Sequence, residues 1–507
     1  MSDPVPGSAF DRELEALVGP RDHRNPQPAT LYDLVVLGGG TAGLVAAAGA
    51  SGLGAKVALV ERSRLGGDCL LVGCVPSKAL LASAERAARI ATAASLGVGG
   101  GPVEVRFAEV MERLRRRRAE IARNDSVARF RDRLGVDVFL GTGRFTSPRT
   151  IAVDGTPLPF RRALIATGGR PRIPPVEGLS GSGFRTNETI FDLNELPPRL
   201  AVLGAGPVGC ELAQAFVRLG SRVILISNRE RILPREEEEA ALLVESRLRA
   251  EGVDIRLSST LRRVVADGAI RKLELAGSDG VTELVADELL VATGRLPNLE
   301  ELDLDRAGVR TVDGRLVVDD RLRTTNRRVF ASGDVDGRYL FTHAADAMSR
   351  VVLQNALFPG PRRRLSSLVV PRVTYTDPEI AAIGPTEDEL RQRGQRLRIV
   401  RVPFAEVDRA VVQEATEGYA RLITDEKKGR ILAATIVGES AGELVGEVAV
   451  AIAGGVTLGR LAGVIHPYPT RAEILRKAGD AWNRQRLTPF VRRVLSFWFR
   501  LTGAGRR

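Results

Sequence analysis

Cysteine, histidine and tryptophan are scarce in this sequence: its 507 residues include three cysteines, three histidines and two tryptophans. Three cysteines are too few for the disulfide framework of a small secreted protein. Long apolar runs are also absent, since none reaches the roughly 18 residues that span a bilayer. The polar first thirty residues lack the apolar core of a signal peptide. We therefore expect a cytoplasmic protein.

Aromatic residues make up only 5% of the chain, and no nucleic-acid motif accompanies its net charge of +12. We therefore expect no nucleic-acid partner, and anionic cofactors are a simpler use of the positive charge. A hydrophobic content of 44% with mixed charges indicates a globular protein. Its length predicts about two to four domains.

A glycine-rich turn follows the first predicted strand, in "YDLVVLGGGTAGLVAAAGASGLGAKVALVER". The apolar run 34–37 predicts a strand, and the run 57–60 predicts a second strand that ends at Glu61. Between them lies the G-x-G-x-x-G spacing of Gly38, Gly40 and Gly43. The glycines permit a tight turn, close approach of a pyrophosphate and helix packing, and the acid can hold a ribose diol. This segment predicts a dinucleotide-binding fold.

The same pattern recurs in "RLAVLGAGPVGCELAQAFVRLGSRVILISNRER", with Gly204, Gly206 and Gly209. Two such folds imply two dinucleotides, or one fold that has lost its ligand. The second strand ends in Ser227, Asn228 and Arg229 without an acid, and Arg231 follows. Because an acid would repel a 2′-phosphate and an arginine would pair with it, the sequence favours NADPH over NADH. The alternative is that these arginines belong to a solvated turn.

Two of the cysteines, Cys69 and Cys74, lie in "GGDCLLVGCVPSKALL". A structural zinc needs about four ligands, and no histidine lies nearby to supply them. A structural disulfide is disfavoured in a reducing compartment. Gly73 eases a turn and Pro76 suits the first turn of a helix, so Cys74 is predicted at a helix N-terminus, where the dipole stabilises a thiolate. We interpret the third cysteine, Cys210, as a buried small hydrophobe.

These motifs resemble those of the class I pyridine nucleotide-disulfide oxidoreductases, FAD flavoproteins that include dihydrolipoyl dehydrogenase, glutathione reductase and mercuric reductase. The resemblance runs from about Leu31 to about Lys477. It also rests on further segments in the family's order: "LIATGGRPRIPP", "LVATGRLPN", "VFASGDV", "TYTDPEIAAIG" and "HPYPTRAE". The chain is most similar to a mercuric-reductase-like subgroup that lacks the C-terminal cysteine pair.

The resemblance implies an enzyme with a redox-active Cys69–Cys74 disulfide. Cys74 would be the flavin-proximal thiolate that forms the charge-transfer complex, and Cys69 the interchange thiol that meets the substrate. Lys78 would lie near the flavin N5, with Glu211 as its ion-pair partner. NAD(P)H would bind the second fold and pass a hydride to the flavin.

The resemblance also assigns residues to the cofactors. FAD would bind the first fold through Glu61, with Asp334 hydrogen-bonded to the ribityl chain and the backbone amides of His343 and Ala344 at the pyrimidine edge. The remaining cofactor-binding candidates are Thr167, Gly168, Arg229 and Gly294, together with the glycines of both turns. No permanently bound metal is expected.

The C-terminal motif departs from the family pattern. The thiol enzymes carry His-Pro-Thr-x-x-Glu, in which the glutamate orients a catalytic histidine that reaches across the dimer. Here Tyr468 takes the histidine's place, Glu473 matches the glutamate, and His466 lies two residues earlier. A tyrosine is a poor general base near neutral pH because its pKa is about 10.

Two enzymatic hypotheses follow from this departure. One is a mercuric-reductase-like NADPH oxidoreductase that passes electrons to a metal ion or another small acceptor. The other is a dihydrolipoyl-dehydrogenase-like enzyme, or another disulfide reductase, in which His466 acts through a shifted loop. A third hypothesis, from another class, is a flavoprotein with an interaction or assembly role. The four residues Cys69, Cys74, Lys78 and Glu211 argue against the third.

The predicted fold class is α/β, with two Rossmann-like dinucleotide-binding domains, for FAD and NAD(P), and an α+β C-terminal dimerisation domain. A homodimer is implied because the family's site needs Tyr468 and Glu473 from a partner subunit. An arginine-rich segment between the cysteines and the second fold predicts a solvated helix face. The predicted domains are a loose N-terminal arm (1–30), the FAD domain (31–170 and 296–367), the NAD(P) domain (171–295), the interface domain (368–480) and a basic amphipathic tail (481–507).

The tail places apolar residues at helical spacing beside arginines. Two interpretations stay open: a helix in weak contact with a membrane surface, or a helix docked on the protein's own body, which is the commoner fate of such stripes. The apolar residues are Phe490, Val494, Trp498 and Leu501, and the arginines are Arg492, Arg493 and Arg500.

Overall fold

The computed structural model describes residues 7–99, 103–278 and 280–502. These residues form two compact units. The first unit contains residues up to 232 and 251–368, and the second contains 233–250 and the residues from 369 onwards. The domain boundaries expected from the sequence are finer than this division and stay predictions.

The described residues form α-helices in all parts of the fold. They are α1 (Ala9–Val18), α2 (Thr41–Gly52), α3 (Gly67–Leu71), α4 (Cys74–Ala91), α5 (Phe107–Ala122), α6 (Pro207–Leu219), α7 (Glu238–Ala250), α8 (Thr342–Leu357), α9 (Glu387–Gln392), α10 (Asp408–Val412), α11 (Ala441–Ala453), α12 (Leu458–Leu461), α13 (Glu473–Gln485) and α14 (Pro489–Leu501).

The strands alternate with these helices in both dinucleotide folds. They are β1 (Tyr32–Leu37), β2 (Val57–Glu61), β3 (Asp137–Leu140), β4 (Gly143–Ser147), β5 (Thr150–Val153), β6 (Thr156–Ile165), β7 (Gly169–Pro171), β8 (Arg199–Leu203), β9 (Arg222–Ile226), β10 (Asp254–Arg256), β11 (Thr260–Asp267), β12 (Ile270–Gly277), β13 (Gly280–Ala286), β14 (Glu288–Val291), β15 (Arg295–Pro297), β16 (Thr311–Val312), β17 (Arg315–Leu316), β18 (Val329–Ala331), β19 (Pro371–Thr374), β20 (Glu379–Ile383), β21 (Leu397–Pro403), β22 (Tyr419–Asp425) and β23 (Ile431–Gly438).

The first unit is built on a seven-stranded sheet in the order β3-β2-β1-β6-β5-β4, with β18 also paired to β6. Its central strands read as continuous apolar runs because helices cover parallel sheets on both faces. In β1, Val35 and Val36 are fully buried, and Val35 pairs in register with Ala58 and Ala163. Strand β18 joins this sheet in parallel after the chain has formed the second fold.

The second dinucleotide fold has its own parallel sheet, in the order β10-β9-β8-β14, beside an antiparallel sheet, β11-β12-β13. Helix α6 follows β8 directly. Pro207 suits its first position, and Gly220, at φ +111°, ends it in the left-handed region. The βαβ order places the N-terminus of α6 at the carboxyl edge of the sheet, where such folds bind ligands.

The second unit contains a five-stranded antiparallel sheet, β19-β20-β23-β22-β21, whose apolar side chains pack with those of helices α11 and α13. Trp482 of α13 is buried in that core and is 2% exposed. A second, smaller cluster joins Leu390 of α9 to Ile423 and Ala433 of this sheet. An antiparallel sheet packed with helices is the α+β arrangement expected for the C-terminal domain.

The expectation of a loose N-terminal arm is wrong for the described part of 1–30. Helix α1 begins with a capping box, in which Ser8 and Asp11 bond to each other's backbone N–H groups. Its apolar residues Leu14 and Val18 are buried in the core of the first unit. The helix is too short and polar for its pattern to stand out among the prolines of this segment.

The expected solvated arginine-rich face is limited to part of α5: Arg116 and Arg117 are exposed, whereas α1 packs on the helix and covers another part of it. Arg118 is only 8% exposed and donates to Asp11 at 2.7 Å and to the carbonyl of Leu71 at 2.9 Å. Arg113 donates to the carbonyl of Ala79 at 2.9 Å. These guanidinium groups therefore fasten α1, α3 and α4 to α5.

One helical stretch of the described residues, 67–91, is long and apolar enough by length and composition to cross a membrane. It consists of α3 and α4, separated by Val72 and Gly73, and it carries both cysteines. Leu80 and Ala84 of α4 are buried in the first unit, as expected for a core helix.

Candidate dinucleotide and dithiol site

The first glycine turn admits no side chain at two of its three positions. A Cβ at Gly38, where φ is +107°, would lie 2.2 Å from the carbonyl oxygen of Ala166. A Cβ at Gly43 would lie 1.8 Å from the carbonyl oxygen of Gly38. At Gly40 the nearest atom would be 3.6 Å away. Helix α2 begins directly after Gly40 without a side-chain cap, so its first N–H groups suit a phosphate.

Glu61 ends β2, as predicted, and its carboxylate faces this turn. It accepts the N–H of Gly39 at 2.7 Å and that of Ser63 at 2.9 Å. Burial raises the pKa of the Glu61 carboxyl. The acid is therefore held beside the glycine turn, in the position from which a dinucleotide fold recognises a ribose.

The second glycine turn repeats this geometry. Gly204 has φ +114°, and a Cβ at Gly209 would lie 1.8 Å from the carbonyl oxygen of Gly204. A Cβ at Gly206 would meet no atom of the described residues within 4 Å. No described protein atom therefore prevents a larger side chain at position 206. A glycine there is explained if a bound ligand occupies the space beside it. Cys210, in the next turn of α6, is fully buried, as predicted.

The end of β9 carries a serine where an acid would mark an NADH-specific fold. Ser227 is buried, and its hydroxyl accepts the N–H of Arg229 at 3.1 Å. The side chains of Asn228 and Arg229 are exposed, and Arg231 is half-buried. The structure thus brings a hydroxyl and a cationic side chain together at the strand end.

Arg295 is a site residue that the sequence reasoning missed. Its guanidinium donates to Asp334 at 3.1 Å, to the carbonyl of Gly169 at 2.6 Å and to Asp68, the residue before Cys69. Burial raises the pKa of the Asp334 carboxyl, and the positive charge of Arg295 opposes that rise. The arginine directly follows Gly294 in "LVATGRLPN", and that position was the signal that could have found it.

The segments that contain Thr167 and Asn298 are joined by two hydrogen bonds from side chains to backbone carbonyls. Thr167 donates to the carbonyl of Asn298 at 2.7 Å, and Asn298 donates to the carbonyl of Thr167 at 3.0 Å. Gly168, at φ +66°, and Gly294, at φ +115°, would place a Cβ in space that no described atom occupies within 4 Å. The cofactor-binding candidates Gly168 and Gly294 therefore lie in neighbouring segments of the fold, beside the paired strands β7 and β15.

The two cysteines lie on consecutive helices and share a hydroxyl partner. Cys69 lies in α3, and Cys74 is the first residue of α4, as predicted. The Cys74 sulfur lies 3.3 Å from Oγ1 of Thr342, the first residue of α8 and a partner that the sequence reasoning missed. A hydrogen bond from Cys69 lowers the pKa of Cys74 to about 6. Burial opposes this shift, while Thr342 and the charge of Lys78 support it.

The same hydrogen bond raises the pKa of its donor, the Cys69 thiol. Burial raises that pKa further. Of the pair, Cys74 therefore carries the negative charge near neutral pH, and Cys69 keeps its proton. A thiolate at a helix N-terminus beside a protonated thiol is the state expected of a reduced dithiol.

Lys78 and Glu211 form the ion pair that the resemblance implied. Their Nζ and Oε2 atoms lie 2.8 Å apart, and the side chains are 37% and 7% exposed. Lys78 is one helical turn after Cys74 on α4, and Glu211 lies on α6. Because α4 packs against α6, the pair joins the cysteine helix to the glycine helix of the second fold.

His343 and Ala344 lie in the first turn of α8. The helix ladder starts with the N–H of Ala345, which donates to the carbonyl of Phe341 at 2.9 Å. The ring of Phe341 stacks on that of His343 with centroids 5.5 Å apart. The amides of His343 and Ala344 therefore lie before the ladder, at the positive end of a helix whose first residue contacts Cys74.

In the C-terminal motif, His466 and Tyr468 have different surroundings. The His466 side chain is 5% exposed; its Nε2 lies 2.9 Å from Oε1 of Glu447, and its Nδ1 lies 3.1 Å from the carbonyl oxygen of Val464. Tyr468 is 70% exposed and donates its hydroxyl to Asp408 at 2.9 Å. That hydrogen bond raises the pKa of the Tyr468 hydroxyl.

Glu473, the first residue of α13, is buried. Its Oε1 accepts from Arg476 at 3.1 Å, and no described donor reaches its Oε2. The structure brings Glu473 to neither Tyr468 nor His466 through a hydrogen bond in the described residues. Its predicted orienting role stays a prediction.

Residues 32–349 match the family model described as pyridine nucleotide-disulphide oxidoreductase, and residues 370–478 match the dimerisation domain of the same family. The chain belongs to this family. Both matches lie within the stretch over which the sequence motifs resemble it. The predicted fold class is confirmed: two dinucleotide-binding folds and a C-terminal α+β domain.

Relatives in the family carry two kinds of name. Mercuric reductase of Streptomyces lividans is 38% identical over 468 residues, covering 90% of this chain and 97% of the relative. Mercuric reductase of Lysinibacillus sphaericus is 33% identical over 89% of this chain and 83% of its own. Dihydrolipoyl dehydrogenase of Thermus scotoductus is 35% identical over 90% of this chain and 98% of its own.

A solved family structure, the HOCl-induced flavoprotein disulfide reductase RclA from Escherichia coli, is similar along almost its whole length. The TM-score is 0.78 at 28% identity, covering 89% of this chain and 99% of the other. The Cu(II) complex of the same protein matches with a TM-score of 0.78 over 90% of this chain and 99% of the other.

The prediction of an enzyme is confirmed: the protein is an FAD-dependent NAD(P)H oxidoreductase of the disulfide reductase class. The glycine turns fit both nucleotides, because each opens a helix N-terminus toward space that the protein leaves free. The dimerisation domain indicates a homodimer. The described residues contain no group of three or more histidines, cysteines and acids that could hold a metal ion.

Proposed function

We propose that this oxidoreductase uses NADPH to reduce a thiophilic metal ion, or another small acceptor that needs no protein base, at Cys69. One observation carries the proposal. His466 is buried against Glu447, while the resemblance of the C-terminal motif implies that Tyr468 takes the position of the family's catalytic histidine. A dithiol–disulfide exchange needs a base to move protons between sulfurs, and losing such a base costs about 10²–10⁴-fold.

The residues divide the work as follows. FAD, held through Glu61 and the first glycine turn, would supply an acceptor for the hydride of NAD(P)H and two electrons for the cysteine pair. Lys78, held by Glu211, supplies positive charge on the cysteine helix. Cys74 holds the thiolate, and Cys69 keeps the proton until the acceptor arrives. These roles stay predictions.

The electrons balance over two half-reactions. NADPH converts the Cys69–Cys74 disulfide to a thiolate at Cys74 and a thiol at Cys69, and leaves as NADP⁺. A divalent ion such as mercuric ion then binds the thiolate and displaces the one proton of the thiol. The S–S bond forms again as the ion takes up two electrons and leaves as the metal. The released proton can pass to water, so no positioned base is required.

Tyr468 supports this assignment because its hydrogen bond to Asp408 raises the pKa of its hydroxyl, so that even less of it is ionised near neutral pH than of an ordinary tyrosine. Its one O–H would have to leave Asp408 before it could donate to a metal–thiolate complex. The names of several relatives, and the copper complex of the similar RclA, point to the same acceptor class. Against it stands one feature of the sequence: the chain has no second cysteine pair to deliver a soft metal.

A second candidate is reduction or oxidation of a disulfide substrate, as in dihydrolipoyl dehydrogenase. The relative from Thermus scotoductus, at 35% identity, favours it. It requires His466 to leave Glu447 and act as the base. The relatives described above are named as reductases and dehydrogenases, which favours catalysis over an interaction or assembly role.

We further propose a preference for NADPH, supported by Ser227 and the exposed Arg229 at the end of β9. An acid there would exclude the 2′-phosphate, and an arginine can pair with it. Tyr468 and Glu473 would serve the site from the partner subunit of the dimer. A cytoplasmic location stays a prediction.

The decisive experiment measures NADPH oxidation by the purified holoenzyme with mercuric ion, cupric ion, lipoamide, glutathione disulfide and quinones. We expect mercuric ion or another acceptor that needs no protein base to be turned over fastest. His466→Gln should change that rate less than threefold, and Cys69→Ser should abolish it. Brisk lipoamide turnover, lost about a hundredfold in His466→Gln, would establish the second candidate instead.

A further inference from the structure

The C-terminal helix α14 is an amphipathic helix that no part of the described chain covers. Thr488 caps it by accepting the N–H of Val491 at 3.3 Å, and Pro489 occupies its first position. None of its residues is buried. Seven of its apolar side chains are between 40% and 71% exposed: Phe490, Val494, Leu495, Phe497, Trp498, Phe499 and Leu501.

The polar side chains of α14 form one narrow strip. At 100° per residue, Arg492, Arg493, Ser496 and Arg500 fall within about 100° of the helix circumference, and apolar residues take most of the rest. A soluble helix docks such an apolar face on a core. The core cluster of the second unit ends at Trp482 of α13 and includes nothing from α14.

The charge around this face is of one sign. From residue 481 to the end of the sequence there are seven arginines and no acid. The whole chain carries a net charge of +12, so a second copy of it offers no overall charge complement to the helix. An anionic surface with an apolar interior complements both features of α14.

We propose that α14 binds the surface of a membrane that contains anionic lipid, lying in its plane with Trp498 and the phenylalanines inserted below the headgroups. Its 13 residues extend about 20 Å, too short to cross a hydrocarbon core of about 30 Å. Aromatic side chains favour this interfacial depth, and arginines beside them attract anionic headgroups. Of the two interpretations of the tail, a membrane-surface helix is therefore favoured over a helix docked on the protein's own body.

The test is co-sedimentation of the holoenzyme with vesicles of phosphatidylcholine alone or with 30% phosphatidylglycerol. We expect at least tenfold more protein bound to the anionic vesicles at low salt, and a severalfold loss of binding as salt is raised. The emission of Trp498 should shift to shorter wavelength on binding, since the other tryptophan, Trp482, is already buried.

Matched variants distinguish vesicle binding by α14 from nonspecific binding by other exposed apolar residues. Phe497→Ser with Trp498→Ser should reduce binding at least tenfold. Val281→Ser with Val312→Ser removes two apolar side chains that are 66% and 51% exposed elsewhere, and should leave binding unchanged. NADPH oxidation in solution should be the same in all variants, which shows that each is folded.

Two results would overturn the proposal. One is equal binding, or no binding, to both kinds of vesicle. The other is a concentration-dependent assembly beyond the dimer that the Phe497→Ser, Trp498→Ser protein loses in light scattering, because a second copy would then cover the helix. Neither result would affect the proposed acceptor, which is measured without vesicles.

Discussion

At the scale of single residues, the most consequential feature is the division of protonation between Cys69 and Cys74. Cys74 starts α4 and contacts Thr342, and the positive charge of Lys78 acts on it. Each of these favours its thiolate, whereas Cys69 is kept protonated. A reduced enzyme in this state has one charged nucleophile and one proton to release.

The long-wavelength charge-transfer absorbance of the two-electron-reduced holoenzyme should report this thiolate. It should appear as pH rises through about 6, the pKa of Cys74, and stay above it. Thr342→Val should raise that midpoint by about one to two units, since a hydrogen bond to a charged group is worth about 1.5–3 kcal/mol. Ser77→Ala, which removes only a bond to the carbonyl of Cys74, is the control. An unchanged midpoint in Thr342→Val would contradict the role of the hydroxyl.

Arg295 holds two carboxylates from separate parts of the chain, Asp68 beside Cys69 and Asp334 after β18. Its side chain is 23% exposed, and those of Asp68 and Asp334 are 43% and 24% exposed, so losing it leaves two partly buried acids close together without the positive charge between them. The bridge fixes the segment that begins α3 relative to the segment that contains Asp334.

Arg295→Gln should lower the free energy of unfolding of the holoenzyme in urea by about 2–3 kcal/mol and speed the loss of FAD, because a partly buried acid then lacks its cation. Arg170→Gln is the matched control. Arg170 pairs with Glu300 at the surface, and such pairs contribute about 0–1 kcal/mol. Equal effects of the two changes would show that Arg295 is an ordinary surface cation.

The sequence reached the cysteines through their rarity and close spacing, and the Lys78–Glu211 pair through the family resemblance. It did not reach Arg295 or Thr342. Arginine is abundant here, and neither residue's partner is near it in the chain: Arg295 meets Asp68 and Thr342 meets Cys74 only after folding. Contacts between distant segments leave no local pattern to read.

At the scale of elements, neighbouring glycines of one turn have different surroundings: one is packed against the backbone, and the other has open space beside it. Gly209 is constrained by the carbonyl of Gly204, while Gly206 has open space beside it. The same helix N-terminus therefore contains one glycine required by the protein and one that we expect the nucleotide to require.

Gly206→Ala should fold normally and raise KM for NADPH about tenfold or more, with little change in kcat, because the new methyl group occupies the pyrophosphate's space. Gly209→Ala should instead lower the yield and the urea midpoint, since its Cβ would lie 1.8 Å from a carbonyl oxygen. If Gly206→Ala destabilised the fold as much as Gly209→Ala, the assignment of that space to the nucleotide would be wrong.

The end of β9 should decide between the two pyridine nucleotides. Ser227→Glu should lower kcat/KM for NADPH relative to NADH about tenfold or more, because a carboxylate there repels the 2′-phosphate. Ser227→Gln has a similar size without the charge and should change the ratio much less. A wild-type enzyme that strongly prefers NADH would disprove the predicted role of Arg229.

The regular βα pattern of both folds was predictable because long apolar runs, glycine turns and strand ends recur in a fixed order. Helix α1 was not predictable in the same way. It has only two buried residues, Leu14 and Val18, and its docking depends on arginines of α5 a hundred residues later. A short polar helix acquires its stability from that distant partner, not from its own pattern.

At the scale of the whole molecule, the body of the protein and α14 are independent by their contacts. A chain that ends at Leu487 should keep the urea midpoint and the NADPH oxidation rate of the full chain, because α14 contributes no buried side chain. A chain that ends at Ala472 is the control and should lose the fold of the second unit, since it lacks Trp482. A lower midpoint for the first truncation would mean that α14 packs on the body.

The pairing of β18 with β6 also sets an order of events on the ribosome. Strand β18 pairs with Ala163, Leu164 and Ile165 of β6, but the ribosome makes it roughly 160 residues later. At ordinary rates of synthesis this delay lasts about 8–30 s. The inserted fold closes its own parallel sheet within that interval. The nascent chain therefore carries an open, apolar strand edge, and slowing synthesis between β6 and β18 should raise the fraction of protein lost to aggregation.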